Sequence, residues 1–247
     1  MNFRILPVKA FCTAFLAGVL ALAAAAQKPY TLSGAGEAAW IGGGGAGIGI
    51  SLLLRHNTPP FTPDEVAALD AGRISAFDRF ATRHYSAAAR RQSDIFLFSA
   101  PAIPLLLLAD PAVRRDAPTV GLIAGEVMLV NTALTLLSKE IAHRPRPFAY
   151  NPAAPLPEKL KRDARLSFFS GHTSTVAALA FSTAKIWSDY HPDSGWRPVI
   201  WAGAAVIPAA VGYLRIRAGK HFLSDVAAGF VAGAFTGWLI PQLHRRR

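Results

Sequence analysis

Apolar residues in this chain gather in blocks near the roughly 20 residues a helix needs to cross a bilayer. One run, from Ala10 to Ala26, follows Arg4 and Lys9 and ends in small residues. Six more lie at about 36–54, 95–109, 119–138, 171–187, 198–213 and 222–240. The pattern predicts an all-α fold, a polytopic membrane bundle with about six transmembrane helices. Residues 1–26 have the layout of a secretory signal with a cut after Ala26, or of an uncleaved first membrane helix. Residues 27–247 then form one membrane-embedded domain. Block 36–54 is glycine-rich, which favours close helix contact in a membrane but weakens a helix standing alone, so its crossing is left open. Block 95–109 is short and holds Pro101 and Pro104, tolerable where neighbours satisfy the freed carbonyls.

Residues 55–94 are polar. Thr62 is placed to cap a short helix starting at Pro63. The stretch from Phe77 to Arg91 reads as an amphipathic helix on the membrane surface, a connecting element rather than a catalytic one.

Composition supports the membrane reading, with 52% hydrophobic and 17% charged residues. Yet the net charge is +11, so the few charges are strongly cationic. Nucleic acid is a poor partner for them, because they lie between apolar blocks; membrane lipids and a phosphorylated substrate fit better. A single cysteine, Cys12, excludes a disulfide framework. No His/Cys/Asp/Glu cluster with metal-ligand spacing is evident, and no cofactor is expected. Arg114-Arg115, Arg197 and the terminal His244-Arg-Arg-Arg247 fall on the cytoplasmic side by the positive-inside rule. The block ends bearing Lys139, His172, Arg215 and His221 then emerge on the outward face, and only one of the two N-terminal blocks crosses.

Three segments at those ends carry candidate chemistry. Lys139-Glu-Ile-Ala-His-Arg-Pro-Arg-Pro147 holds several cations in a proline-stiffened turn, with Glu140 the nearby acid. Phe168-Phe-Ser-Gly-His172 opens a helix, where free N–H groups and the dipole suit an anion. Gly171 there allows close approach, the Ser170 hydroxyl is a donor, and His172 exchanges a proton near neutral pH. In Arg215-Ile-Arg-Ala-Gly-Lys-His-Phe-Leu-Ser-Asp225, His221 and Asp225 share a helix face, so the carboxylate would fix the imidazole tautomer. Ionisable groups at a membrane rim are expensive and usually functional.

Together these segments resemble the type 2 phosphatidic acid phosphatase family, whose site architecture is shared with vanadium-dependent haloperoxidases. Its motifs of Lys, six residues, Arg-Pro; of Pro-Ser-Gly-His; and of Ser-Arg, five residues, His, three residues, Asp are matched in order. They fall on Lys139 with Arg146-Pro147, on Phe169-Ser-Gly-His172, and on Leu214-Arg215 with His221 and Asp225. Phe169 and Leu214 depart from the pattern. The resemblance implies a metal-independent phosphatase for a phosphomonoester or diphosphate of a lipid, working through a phosphohistidine. It implies His221 as nucleophile, Asp225 orienting it, and His172 as general acid and base. Lys139, Arg146, Arg215, Ser170 and Gly171 would bind the phosphoryl group. Substrate candidates are undecaprenyl diphosphate, phosphatidylglycerol phosphate, phosphatidic acid and the phosphates of lipid A. The site would face the periplasm of a bacterial inner membrane. Rival readings are a vanadate-dependent haloperoxidase and a non-catalytic protein that binds or transports lipid phosphates. The basic residues Lys159, Lys161, Arg162 and Arg165 read as a solvated loop, or else as a clamp for a polyanionic head.

Overall fold

The computed structural model describes residues 28–246, so the leader-or-anchor segment 1–26 lies outside the described residues. Among the described residues there are six longer helices: α1 (Gly34–Leu54), α2 (Ala87–Ser99), α3 (Ala117–Ala142), α4 (Gly171–Tyr190), α5 (Arg197–Arg217) and α6 (Leu223–His244). No strand occurs among the described residues, in line with the all-α expectation. The helix starts obey local rules: Ser33, Ser86 and Ser170 cap α1, α2 and α4 with their hydroxyls, and Pro118 and Pro198 open α3 and α5. Helix α3 stops at His143, whose left-handed φ of 45° turns the chain before Pro145 blocks continuation.

Helix α4 is the hub, packed against α6, α5, α3 and the end of α2. Its closest approach is to α6, where Gly229, Gly233 and Gly237 recur every fourth residue. A methyl group added at these positions would lie 2.6 Å from the Ser170 carbonyl oxygen, 2.1 Å from that of Ser174 and 2.3 Å from that of Ala178. Only glycine lets the two backbones meet so closely, the small-residue packing of membrane helices. Across the other face, Asn131 Nδ2 donates to Thr175 Oγ1 (3.3 Å), and Thr135 and Ser174 hydroxyls pair at 3.1 Å. Helix α1 runs alongside α3 with Gly44 against Leu129 and Gly47 against Ala133, so the glycine-rich block is a continuous helix whose glycines serve its docking.

Four helices, α1, α3, α5 and α6, are long and apolar enough to cross a membrane, and α2 with Ala102–Ala109 makes a fifth span bent by 42°. Pro101 and Pro104 account for the bend. Among the described residues that makes four or five spans by length and composition, against the about six expected. Helix α4 fails the test of hydropathy because it carries six Ser and Thr residues together with His172, Lys185 and Asp189. It can be polar because its neighbours, not lipid, surround it. The remaining surface is strongly apolar, with Leu53, Phe98, Leu106, Ile141, Val206, Val231 and Phe235 exposed around the bundle. Such a band suits lipid rather than water.

Residues 55–94 also depart from expectation. The Thr62 cap forms, as a reciprocal box with Glu65. The stretch 77–91, however, is not one amphipathic helix. It breaks into Ala76–Arg79 and a short 3-10 turn over Phe80–Arg83, and α2 begins afresh at Ala87. The segment folds over the end of the bundle where α3 and α5 stop, and there Asn151 Nδ2 donates to the Thr82 carbonyl and Ser86 N to that of Arg217.

The glycine row gives a direct test. Gly233→Ala is expected to destabilise the bundle by about 1–3 kcal/mol, because its methyl would strike backbone rather than a movable side chain. Thermal unfolding in detergent measures it, with Gly45→Ala, whose methyl meets nothing within 4 Å, as the neutral comparison.

Candidate active site

At the end of the bundle where α3 stops and α4 begins, a cavity of about 420 Å³ is lined by Lys139 and Arg146, by Gly171 and His172, and by Arg215 and His221. The three sequence segments therefore converge. Their partners in the wall are Arg90 and Asp94 from α2, Asp163 from the loop before α4, and Lys220.

Each lining side chain is held by its own element. Lys139 sits in the last turn of α3 and its ammonium donates to the Leu166 carbonyl (2.9 Å). Arg146, nearly fully buried, follows the left-handed turn at His143. Its guanidinium donates to the carbonyls of Asp163 (2.8 Å) and Lys220 (2.9 Å) and pairs with the Asp163 carboxylate at 2.8 Å. Arg215 closes α5 and donates to Ser93 Oγ (3.1 Å) and to Asp94 Oδ1 (3.3 Å). Gly219 makes the turn from α5 to His221 with a φ of 66°, and a side chain there would collide with the His84 carbonyl.

His221 is 1% exposed. Its Nδ1 lies 2.7 Å from the Ser167 carbonyl, which can only accept, so Nδ1 carries the hydrogen. Nε2 is left with its lone pair in the cavity, 3.2 Å from Arg146 Nη1 as donor. Burial first, and then the cations Arg146, Lys139 and Arg215 and the neighbouring His172, push the imidazole pKa well below its usual 6.5. The ring is thus a neutral base with one aimed nitrogen.

Asp225 does not hold His221 directly, as the four-residue spacing had suggested. Its Oδ2 is 3.8 Å from Nδ1 and instead accepts from Ser167 Oγ (2.5 Å) and Phe222 N (2.9 Å). Ser167 is therefore the relay: its hydroxyl meets Asp225 while its carbonyl orients the imidazole. The other carboxylate oxygen takes Arg144 Nη1 at 2.5 Å, and Arg144 also grips Asp78 Oδ2 at 2.8 Å.

Ser170 also departs from expectation. It is fully buried, caps α4 at the Thr173 N–H and pairs with the Thr173 hydroxyl at 2.9 Å, so it does not line the cavity. Gly171 does, together with the helix start. Two cations of the basic loop are tied down, Arg162 pairing with Glu140 and Arg165 pairing with Glu65 and stacking on Phe61, and Lys159, Lys161, Arg162 and Arg165 are all outside the cavity lining. Asp163 is what the loop contributes. Burial works to raise its pKa, but Arg146, Lys220 and Lys139 prevail and hold it below the usual carboxylate range.

Asp94 is the residue sequence reasoning missed. Its Oδ1 lies 2.8 Å from His172 Nε2 and also meets Arg215, tying the second segment to the third. A signal was present: Asp94 is the one acid between Asp78 and Asp110, at the threshold of an apolar block.

A family model described as the PAP2 superfamily matches residues 120–247. The chain belongs to the PAP2 superfamily. No curated protein sequence matches it. Among solved structures it is similar to a transmembrane PAP2 type phosphatidylglycerolphosphate phosphatase from Bacillus subtilis. The two are 23% identical, with 81% of this chain and 94% of that one covered and a TM-score of 0.48. The PAP2 match begins within α3 and contains all three segments, whereas Arg90 and Asp94 lie before it.

Arg144 reaches past the cavity wall to two buried acids without lining the cavity, so its loss should be structural. Arg144→Ala is expected to cost about 3 kcal/mol, since it strands the buried Asp225 carboxylate. Chemical unfolding of the purified protein in detergent reads the change.

Proposed function

We propose that this PAP2 protein is a membrane-bound phosphatase acting on the phosphomonoester or diphosphate of a lipid through a phosphohistidine intermediate. The observation that carries the reading is the aimed, neutral Nε2 of His221 in a cavity walled by Lys139, Arg146 and Arg215. The lipid setting is supported by the apolar helices that lead up to that cavity and by the lipid phosphatase named above as similar.

In this reading His221 Nε2 attacks phosphorus, forming an N–P bond as the ester P–O bond breaks. His172 gives its proton to the departing oxygen. Asp94 Oδ1, 2.8 Å from its Nε2, holds the ring in place. Water then attacks phosphorus, its proton passes to His172, and the N–P bond breaks to release phosphate and neutral His221. Lys139, Arg146 and Arg215 meet the charge on the non-bridging oxygens, the preorganised electrostatics on which phosphoryl transfer depends. These cations do the work that magnesium does elsewhere, so the step needs no metal. Asp225 acts on His221 through Ser167 and is a positioning residue.

The doublets Arg114-Arg115 and Arg245-Arg246, with Arg197, lie at the helix ends opposite the cavity. By the positive-inside rule the cavity faces outward, to the periplasm of a bacterial inner membrane. A lipid whose phosphorylated head stands in the outer leaflet would reach it there.

Phosphate release from a panel of undecaprenyl diphosphate, phosphatidylglycerol phosphate, phosphatidic acid and lipid A tests the reading. His221→Ala should abolish release, and His172→Ala should lower kcat by about 10²-fold or more. Full activity in His221→Ala would sink the proposal. A pH profile adds a second check. Because His221 has a depressed pKa, it stays neutral as pH falls through 6.5, and kcat/KM should drop only below that value. A drop centred above pH 6.5 would contradict a neutral His221 nucleophile.

A further inference from the structure

The end of the bundle opposite the cavity holds a second cluster of chemistry-bearing groups. Glu37 of α1, Glu126 of α3 and His244 of α6 bring one ligand atom each within 4.8 Å of one another. They are far apart in sequence, which is why no metal-ligand spacing was legible there. Glu126 stands 13 residues before Lys139 on α3, about 20 Å from the active site at 1.5 Å per residue.

Two observations separate this cluster from an ordinary buried ion pair. Glu126 is 1% exposed, and neither of its carboxylate oxygens accepts a hydrogen bond. An ionised carboxylate so placed is costly unless a cation or proton accompanies it. His244, also buried, has Nδ1 2.7 Å from the Ile240 carbonyl, so that nitrogen carries the hydrogen and Nε2 is turned to the two carboxylates. A carbonyl bond of this kind on the far ring nitrogen is what orients a metal-ligating histidine. Nε2 lies 3.2 Å from Glu37 Oε2 and 3.1 Å from Glu126 Oε2, with only the first in hydrogen-bonding geometry.

We propose that Glu37, Glu126 and His244 bind one divalent transition-metal ion of the zinc class, clamping α1 to α3 and α6. The spacing suits it: ligands at about 2.0–2.1 Å from a tetrahedral ion stand about 3.3 Å from one another. One imidazole with two carboxylates selects zinc-like ions over Mg²⁺ or Ca²⁺, which take all-oxygen shells. A fourth position is left for water. Glu37 is only partly covered, which gives the ion an entry path. Arg245 does not compete for the carboxylates, as its Nε leans toward Asp189 at 3.9 Å. The clamp has a structural purpose, because α1 otherwise rests chiefly on α3 through glycine contacts.

The test uses the full chain, tag-free and stripped with chelator in detergent, titrated with Zn²⁺ against a competing chromophoric chelator. One equivalent should bind and raise the thermal midpoint. Glu126→Gln, nearly isosteric, should weaken binding about tenfold or more and remove the thermal shift. Glu37→Gln, at a less buried position, should do likewise should Glu126→Gln fold poorly. His221→Ala should bind zinc as the wild type does, which separates this site from the active-site histidines. Chelator should lower the thermal midpoint while leaving the initial hydrolysis rate unchanged well below it. No zinc binding by the wild type would mean that the triad shares only a proton. Binding that persists in Glu126→Gln and Glu37→Gln but is lost in His221→Ala would place the ion in the cavity. Either outcome overturns the proposal.

Discussion

The contact on which the molecule depends is the backbone-to-backbone approach of α4 and α6. Gly229, Gly233 and Gly237 remove every side chain that would hold the two helices apart. Their closeness lets Ser170 N donate to the Asp225 carbonyl at 3.0 Å, so the start of one helix is bonded to the start of the other. His172 and His221 flank that bond in sequence. The separation of the two histidines thus depends on glycines along α6, the first of which abuts Ser170.

Around this pair the protein accumulates positive charge and spends little of its acid on neutralising it. Arg146 is held by two carbonyls and the Asp163 carboxylate, Lys139 by one carbonyl, and Arg215 by Ser93 and Asp94. Carbonyl partners orient a cation without cancelling its charge, and the excess field falls on whatever occupies the cavity. Burial first, and then the same field, push the His221 pKa down, because a further positive charge among those cations is unfavourable. On the proposed mechanism, anion binding and nucleophile activation would both follow from one charge distribution.

Much of the site was legible because its motifs are local. Lys139 with Arg146, Gly171 with His172, and Arg215 with His221 each fall within a single helix end, and all six line the cavity. What could not be read depends on distance along the chain. Asp94 acts on His172 across the bundle from a segment expected to be a mere connector. Asp225 looked like a direct partner of His221 from helical periodicity, but His221 lies just before α6 begins, where a spacing of four does not bring side chains together. Hydropathy is a poor guide to α4 for a related reason: it reports on contact with lipid, and α4 touches mostly protein.

That central position has a consequence for how the protein is made. A segment with six hydroxyls, a lysine and an aspartate is a poor candidate to leave the translocon and partition into lipid by itself. Helix α4 gains a favourable environment only when α3 is already present to accept its hydroxyls and α6 arrives to cover its backbone. Insertion of α4 would therefore be a collective event spread over the C-terminal half of the chain. A ribosome that stalls before α6 would leave the most polar helix without the neighbour that makes it a membrane helix.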